Sequence, residues 1–228
     1  GGIAVDRDSR LTRQIARFDG TSWDHVGDRF NSQNDRLFDM IVFDEDGPGP
    51  APEALYVCGR SDLAPLVARW DGSAWTDLSI PIESGEVFDL EVWDSDGPAP
   101  GGPALPRLFA CGPFTDVGVQ PTPPSYIASW NGASWQDVGL GLPNHPGIGL
   151  AMTIFDSDGP SPNNPALVVV SEVNEVDSRF TADITLWNGQ AWTKLHSIES
   201  MPPAFQSGGP SNGRAWTHDE DGPGPLLP

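Results

Sequence analysis

One short pattern constrains this chain more than anything else in it: an aromatic residue, Asp-Gly or Asn-Gly, two variable residues, then Trp. It reads Phe18-Asp19-Gly20-Thr21-Ser22-Trp23, Trp70-Asp71-Gly72-Ser73-Ala74-Trp75, Trp130-Asn131-Gly132-Ala133-Ser134-Trp135 and Trp187-Asn188-Gly189-Gln190-Ala191-Trp192. Asp-Gly or Asn-Gly between apolar segments is the strongest short hairpin signal, because tight turns need positive φ, which Gly and Asn accept at least cost. Each copy therefore predicts two antiparallel strands, Gln14 to Phe18 with Trp23 to Val26 in the first. Recurrence along the chain predicts a repeat architecture.

Two further signals recur in step with the hairpin. Phe38, Met40 and Val42 alternate with Asp39, Ile41 and Phe43, and the same register returns at Phe88, Leu90 and Val92 and at Leu150, Met152 and Ile154. Alternation is the period of a strand, and one apolar face on each is expected to pack between layers. Each strand runs into an acidic turn: Asp44-Glu45-Asp46-Gly47-Pro48, Asp94-Ser95-Asp96-Gly97-Pro98, Asp156-Ser157-Asp158-Gly159-Pro160, with a fourth at Asp219-Glu220-Asp221-Gly222-Pro223. A short apolar strand follows (54–58, 107–111, 166–170), then a loop of variable length, then the hairpin.

The unit is four strands, and its first turn Asp recurs after 50, 62 and 63 residues. Such periods fit four-stranded propeller blades, near the ~40–50 residues of known types but lengthened by loops. A two-sheet sandwich explains the strands but not the return of whole units. The expected fold class is thus all-β, a β-propeller of four-stranded antiparallel blades in a single domain over 1–228. Its repeats span 1–36 (outer two strands only), 37–86, 87–148, 149–210 and 211–228 (first strand only). Residues 1–13 hold no recognisable inner strand and the chain stops where a second strand should start, so the expectation is part of a larger ring. A closed four-bladed ring with one three-stranded blade is the alternative.

Gly and Pro make up 26 and 24 of the 228 residues, near a disordered composition. The 9 Trp and 10 Phe argue otherwise, so Gly and Pro are read as turn residues between many short strands. The formal net charge is -20, and Lys194 is the sole lysine. That field repels nucleic acid and anionic membrane surfaces, leaving a cation, a basic partner or a neutral polymer. Acidity that keeps an extracellular or salt-tolerant protein soluble is the ordinary explanation. No apolar run approaches the ~20 residues that span a bilayer, so no membrane insertion is expected. Cys58 and Cys111 occupy equivalent places in successive units, beyond the ~7 Å reach of a bridge, and are read as small buried hydrophobes.

These motifs resemble the kelch-like propeller repeats of secreted bacterial proteins. The match is closest at Leu108-Phe109-Ala110-Cys111-Gly112-Pro113-Phe114-Thr115 with Ile127-Ala128-Ser129-Trp130-Asn131-Gly132, and at Val67-Ala68-Arg69-Trp70-Asp71-Gly72. The resemblance implies a secreted or cell-surface propeller and brings no shared catalytic residues. The third unit departs from it at Ser171-Glu172-Val173-Asn174, and the fourth at Ser211 to His218.

Three constellations bear on function. Asp-x-Asp-Gly is a partial calcium-loop pattern, two carboxylates reaching one hard cation while Gly allows the bend. Asp44, Asp46, Asp94, Asp96, Asp156, Asp158, Asp219 and Asp221 are its candidate ligands; the competing reading is that each Asp caps its own turn through backbone N–H groups. The hairpin aromatics are read as packing between blades or across the hairpin rather than as a sugar-stacking surface. Glu172, Glu175 and Asp177 could place two carboxylates for glycoside hydrolysis, against a plain solvated loop. His25, His145, His196 and His218 show no metal-ligand spacing. The expected function is a non-catalytic binding module whose protein or carbohydrate ligand is met by loops 60–65, 113–125, 171–181 and 197–212. The alternatives are a carbohydrate-active enzyme or its substrate-binding propeller, and a calcium-stiffened surface protein.

Overall fold

A computed structural model describes residues 4–5, 11–12, 15–30, 35–47, 49–61, 64–78, 80, 85–94, 106–114, 126–142, 147–156, 165–176 and 179–199. Among these there is no helix. The strands are β1 (Ala4–Val5), β2 (Leu11–Thr12), β3 (Ala16–Phe18), β4 (Trp23–His25), β5 (Arg36–Phe43), β6 (Ala54–Ser61), β7 (Ala64–Trp70) and β8 (Trp75–Asp77). They continue as β9 (Asp89–Trp93), β10 (Arg107–Cys111), β11 (Ile127–Trp130), β12 (Trp135–Asp137), β13 (Gly147–Phe155), β14 (Ala166–Val176), β15 (Arg179–Trp187) and β16 (Trp192–Glu199).

β5 to β8, β9 to β12 and β13 to β16 form three four-stranded antiparallel meanders, each in simple chain order. β3 and β4 form the first hairpin alone, and β1 pairs with β2 in residues where no strand was expected. In the third unit the strand expected to end at residue 170 runs on to Val176 and pairs with β15 as far as Val173 before a register shift. The departure from the repeat pattern at Ser171 to Asn174 is therefore a longer strand, not a loop.

The sheets stack face to face, and both faces of each strand contribute. Between the first and second sheets, Phe43, Tyr56 and Cys58 meet Leu90, Leu108, Ala128, Trp130 and Trp135. Between the second and third, Trp93, Phe109, Cys111 and Ile127 meet Met152, Leu167, Val169 and Trp187. The lone hairpin covers the other side of the first sheet, with Ile15, Val26 and Phe30 against Val57, Leu66 and Ala68. On β5 the neighbours Met40 and Ile41 thus pack against different cores, as Val57 and Cys58 do on β6. This corrects the expectation of one apolar face per strand: a sheet flanked on both sides needs apolar residues at odd and even positions alike.

The recurrent hairpin supplies two local devices. Its Asp or Asn accepts the N–H groups two and three residues on, Asp71 Oδ1 from Ser73 and Ala74 at 2.8 Å each, Asn131 Oδ1 from Ala133 and Ser134 at 3.0 and 2.9 Å. Gly20, Gly72, Gly132 and Gly189 follow with φ of 103°, 98°, 91° and 93°, which a side chain disfavours. Across each hairpin the paired aromatics meet at 5.1, 5.3, 5.5 and 5.0 Å in chain order.

The second device joins sheets. Trp75 Nε1 donates to the Val26 carbonyl at 2.9 Å, Trp135 Nε1 to Leu78 at 2.6 Å and Trp192 Nε1 to Val138 at 3.2 Å. Each acceptor is the residue third after the outer Trp of the preceding unit, so one clamp is built three times. Trp packing is thereby found where the hairpin aromatics were read to pack. Both cysteines are free and buried, matching their reading as core residues.

Candidate functional site

Because the meanders run in register, the acidic turns and hairpin turns share one end of the stack. The loops joining the second and third strands of each sheet, and the sheet-to-sheet connections, share the other. The two ends are chemically different and are taken in turn.

At the turn end, Asp44 Oδ1 accepts the N–H of Asp46 at 3.3 Å and Asp46 Oδ2 that of Ala51 at 3.1 Å. These are the backbone caps that compete with a cation for the same oxygens. Asp46 Oδ1 is nonetheless buried with no hydrogen-bond partner among the described residues. Glu45 Oε1 accepts the Trp130 indole N–H at 2.8 Å, reaching across to the next sheet. Tyr56, hydrogen-bonded by Arg69 Nε at 3.1 Å, has its phenol pushed up by burial and then by Glu45. Asp94 and Asp156 open the second and third turns; Asp96, Asp158, Asp219 and Asp221 lie outside the described residues. Among the described residues no three His, Cys, Asp or Glu side chains are grouped to hold a metal ion.

At the loop end the inner strands β5, β9 and β13 adjoin, and two carboxylates tie them. Asp39 Oδ2 accepts the Leu90 N–H at 3.2 Å, and Asp89 Oδ2 accepts the Met152 N–H at 2.5 Å. The two aspartates occupy the same place in successive units, opposite Cys58 and Cys111. A bulge just before Asp39, shown by the register shift between Leu37 and Asp39, turns Phe38 out of the ladder. Phe38 and Phe88 meet edge to face at 5.5 Å. Gly59 and Gly112 permit the close approach of the chain before each aspartate: a Cβ on Gly59 would stand 1.8 Å from the Arg36 carbonyl oxygen and one on Gly112 2.2 Å from that of Glu86. Arg60 and Glu86 close the same edge with an ion pair at 2.6 Å.

The electrostatics follow from burial. Asp89 is held up at about 7, first by desolvation and then by the charge and hydrogen bond of Asp39, against the lowering effect of the Met152 N–H. Burial also raises Glu91, with Asp39 adding to it, and raises both thiols, with Asp39 and Asp89 adding. Desolvation between two adjoining sheets, with the Asp39 carboxylate beside it, therefore makes Asp89 keep its proton to a higher pH than an ordinary carboxylate. With one oxygen of each engaged by the next sheet, the pair is a fastening. In the third unit the position is Ala151, and the series stops.

These two aspartates were not singled out from sequence, although a signal existed: Asp is disfavoured in strands, and here it recurs on the inner strands of successive units, inside β5 and at the start of β9. Glu172 lies on β14 at the loop end, paired with Ile148 and Ala182, and burial raises its pKa. Glu175 is on the same strand, and Asp177 lies outside the described residues. Lys194 is engaged by buried Asp183 at 2.7 Å, which also accepts Ser197 Oγ at 2.8 Å. Of the expected binding loops, 60–61, 64–65, 113–114, 171–176, 179–181 and 197–199 fall among the described residues, and the rest lie outside them.

Comparison with protein-family models, with curated proteins and with solved structures finds no match to this chain.

Proposed function

We propose that this chain is part of a β-propeller that acts as a secreted or cell-surface binding module, holding a protein or carbohydrate ligand at its loop end without catalysis. The observation that supports it most directly is the contrast between the two ends. The turn end repeats, with the same Asx-capped hairpin and the same Trp clamp at successive sheets. The loop end differs from unit to unit: Gly59 and Gly112 give way to Ser171, and β14 runs on to Val176. A rigid repeated scaffold with unlike loops at one end is how binding surfaces are commonly carried. The face-to-face stack and adjoining inner strands are the packing a propeller uses.

The test is binding of the labelled chain to a printed glycan array and to immobilised extracellular proteins, beside a variant with residues 172–176 replaced by Gly and Ser. Binding that this replacement abolishes, with the bound glycan intact, is the expected outcome. Cleavage of a bound glycan that Glu172→Gln abolishes would move the assignment to a carbohydrate-active enzyme. A calcium-stiffened surface protein is the second reading, and the buried, unpartnered Asp46 Oδ1 favours it.

A further inference from the structure

In each four-stranded sheet the hairpin aromatic pair faces the preceding unit, which gives the stack a direction. Trp70 and Trp75 pack toward the first hairpin, Trp130 and Trp135 toward the first sheet, Trp187 and Trp192 toward the second. On its opposite face each sheet offers the groove that receives such a pair: the third residue after the outer Trp, a carbonyl there, and apolar side chains of the inner strands. Val26, Leu78 and Val138 fill that role at the three junctions.

The two outermost faces of the described stack are one of each kind. The first hairpin presents Phe18, 51% exposed, and Trp23, 68% exposed, where the equivalent Trp135 is buried. The third sheet presents Leu195, 50% exposed, third after its outer Trp as Val26, Leu78 and Val138 are after theirs, and set in a bulge of β16. Across the neighbouring strands from it stand half-buried Ile184 and Val170, and on the far edge strand β13 Phe155 is 37% exposed where its counterparts Phe43 and Trp93 are buried. The donor face at one end and the acceptor face at the other thus have the chemistry of the three junctions already formed inside the chain.

We infer that two copies of this chain associate head to tail, the Phe18–Trp23 face of one seating on the Leu195–Phe155 face of the other, with the Trp23 indole N–H directed at the Leu195 carbonyl. Self-complementary pairing of like faces would set two aromatic pairs against each other with no acceptor groove. The heterologous pairing reproduces a junction the sequence is already built to make. Such contacts propagate or close into a ring according to the rotation between copies. The inference rests on the stacked sheets alone and stands or falls independently of the ligand-binding reading.

The experiment is sedimentation velocity on the whole chain across a wide concentration range, with Trp23→Ser and Leu195→Glu. Both positions are exposed, and near-UV circular dichroism checks that each variant keeps its packed tryptophans. The chain is expected to gain mass with concentration. Each variant alone is expected to stay monomeric, because every junction needs one intact face of each kind. Mixing the two variants is expected to restore a dimer and nothing larger, since only one compatible pair of faces remains. A chain that is monomeric throughout overturns the inference, as does a dimer that survives either substitution or a mixture that stays monomeric.

Discussion

The indole N–H of Trp135 donates to the main-chain carbonyl of Leu78, 57 residues earlier, at 2.6 Å. The acceptor is backbone, so the bond depends on where the outer strand of the preceding sheet ends and not on which side chain ends it. Trp135→Phe keeps an aromatic ring against Trp130 but loses this bond, worth about 1 kcal/mol, together with the packing of the second ring. Trp135→Ala also empties a buried site and should cost about 3–5 kcal/mol. Urea denaturation of the two variants measures both, and a Trp135→Phe loss near zero would mean that the hydrogen bond contributes nothing.

Gly139 follows the acceptor Val138 with φ of 63°, and a Cβ there would stand 2.8 Å from Trp187 Cη2 and 3.2 Å from Trp192 Nε1. Gly139→Ala therefore adds a collision with the aromatic pair to the cost of left-handed backbone, itself about 1–2 kcal/mol. Gly132, in the hairpin turn, has comparable positive φ and open space within 4 Å. Gly139→Ala should thus lose more stability than Gly132→Ala, and thermal melts of the pair decide it.

Asp89 makes stability fall as pH rises toward neutrality. Its folded pKa of about 7 lies above the ordinary 3.8, so the folded state binds the proton more tightly than the unfolded state. The stabilisation from that proton is complete below about pH 4 and is lost as pH rises through 7, at roughly 1 kcal/mol per unit. Asn at this position keeps an acceptor for the Met152 N–H and a donor for Asp39. Asp89→Asn should flatten the slope between pH 4 and 7, and denaturation midpoints across that window test it. Asp71 works in the opposite sense: held at about 2 by the N–H groups of Ala74 and Ser73, it favours the fold above pH 4 and withdraws that support as pH falls through 2. The acid limb should survive Asp89→Asn unchanged.

Asp46 separates cap from cation. Asn at this position still accepts the Ala51 N–H but supplies no negative charge for a metal. On the calcium-stiffened reading, calcium added to chelator-treated protein raises the melting midpoint of the native chain and leaves that of Asp46→Asn where it was. A native midpoint indifferent to calcium would leave the turn to its backbone caps.

Cys58 and Cys111 should resist a water-soluble thiol reagent in the native chain and react fully in denaturant. Both are fully buried and their thiols are pushed up by burial, so neither access nor thiolate is available. Rapid native labelling of either would place it at an opening of the inner strands.

The repeat was legible because its signals are local. Asp-Gly and Asn-Gly mark a turn whatever surrounds them, and the four hairpins stand where the motif puts them. The alternation at Phe38 to Phe43 found a strand but gave it one buried face, because period-two reading cannot show that a second sheet lies on the other side. Nor can it register a bulge, which takes Phe38 out of the ladder and brings Asp39 opposite Cys58. The aspartates' partners, Leu90 and Met152, lie 51 and 63 residues on. A hydrogen bond to backbone over that distance leaves no mark on the residue that donates it.

The Trp clamp has a consequence for synthesis of the chain. Each indole reaches backward, by 49, 57 and 54 residues, to a carbonyl in the unit made just before it. A nascent chain can therefore close each junction as soon as the later hairpin leaves the ribosome, without waiting for sequence still to be translated. Folding can advance one unit at a time behind the point of elongation, and no half-made stack need keep a Trp pair exposed for longer than its own hairpin takes to form.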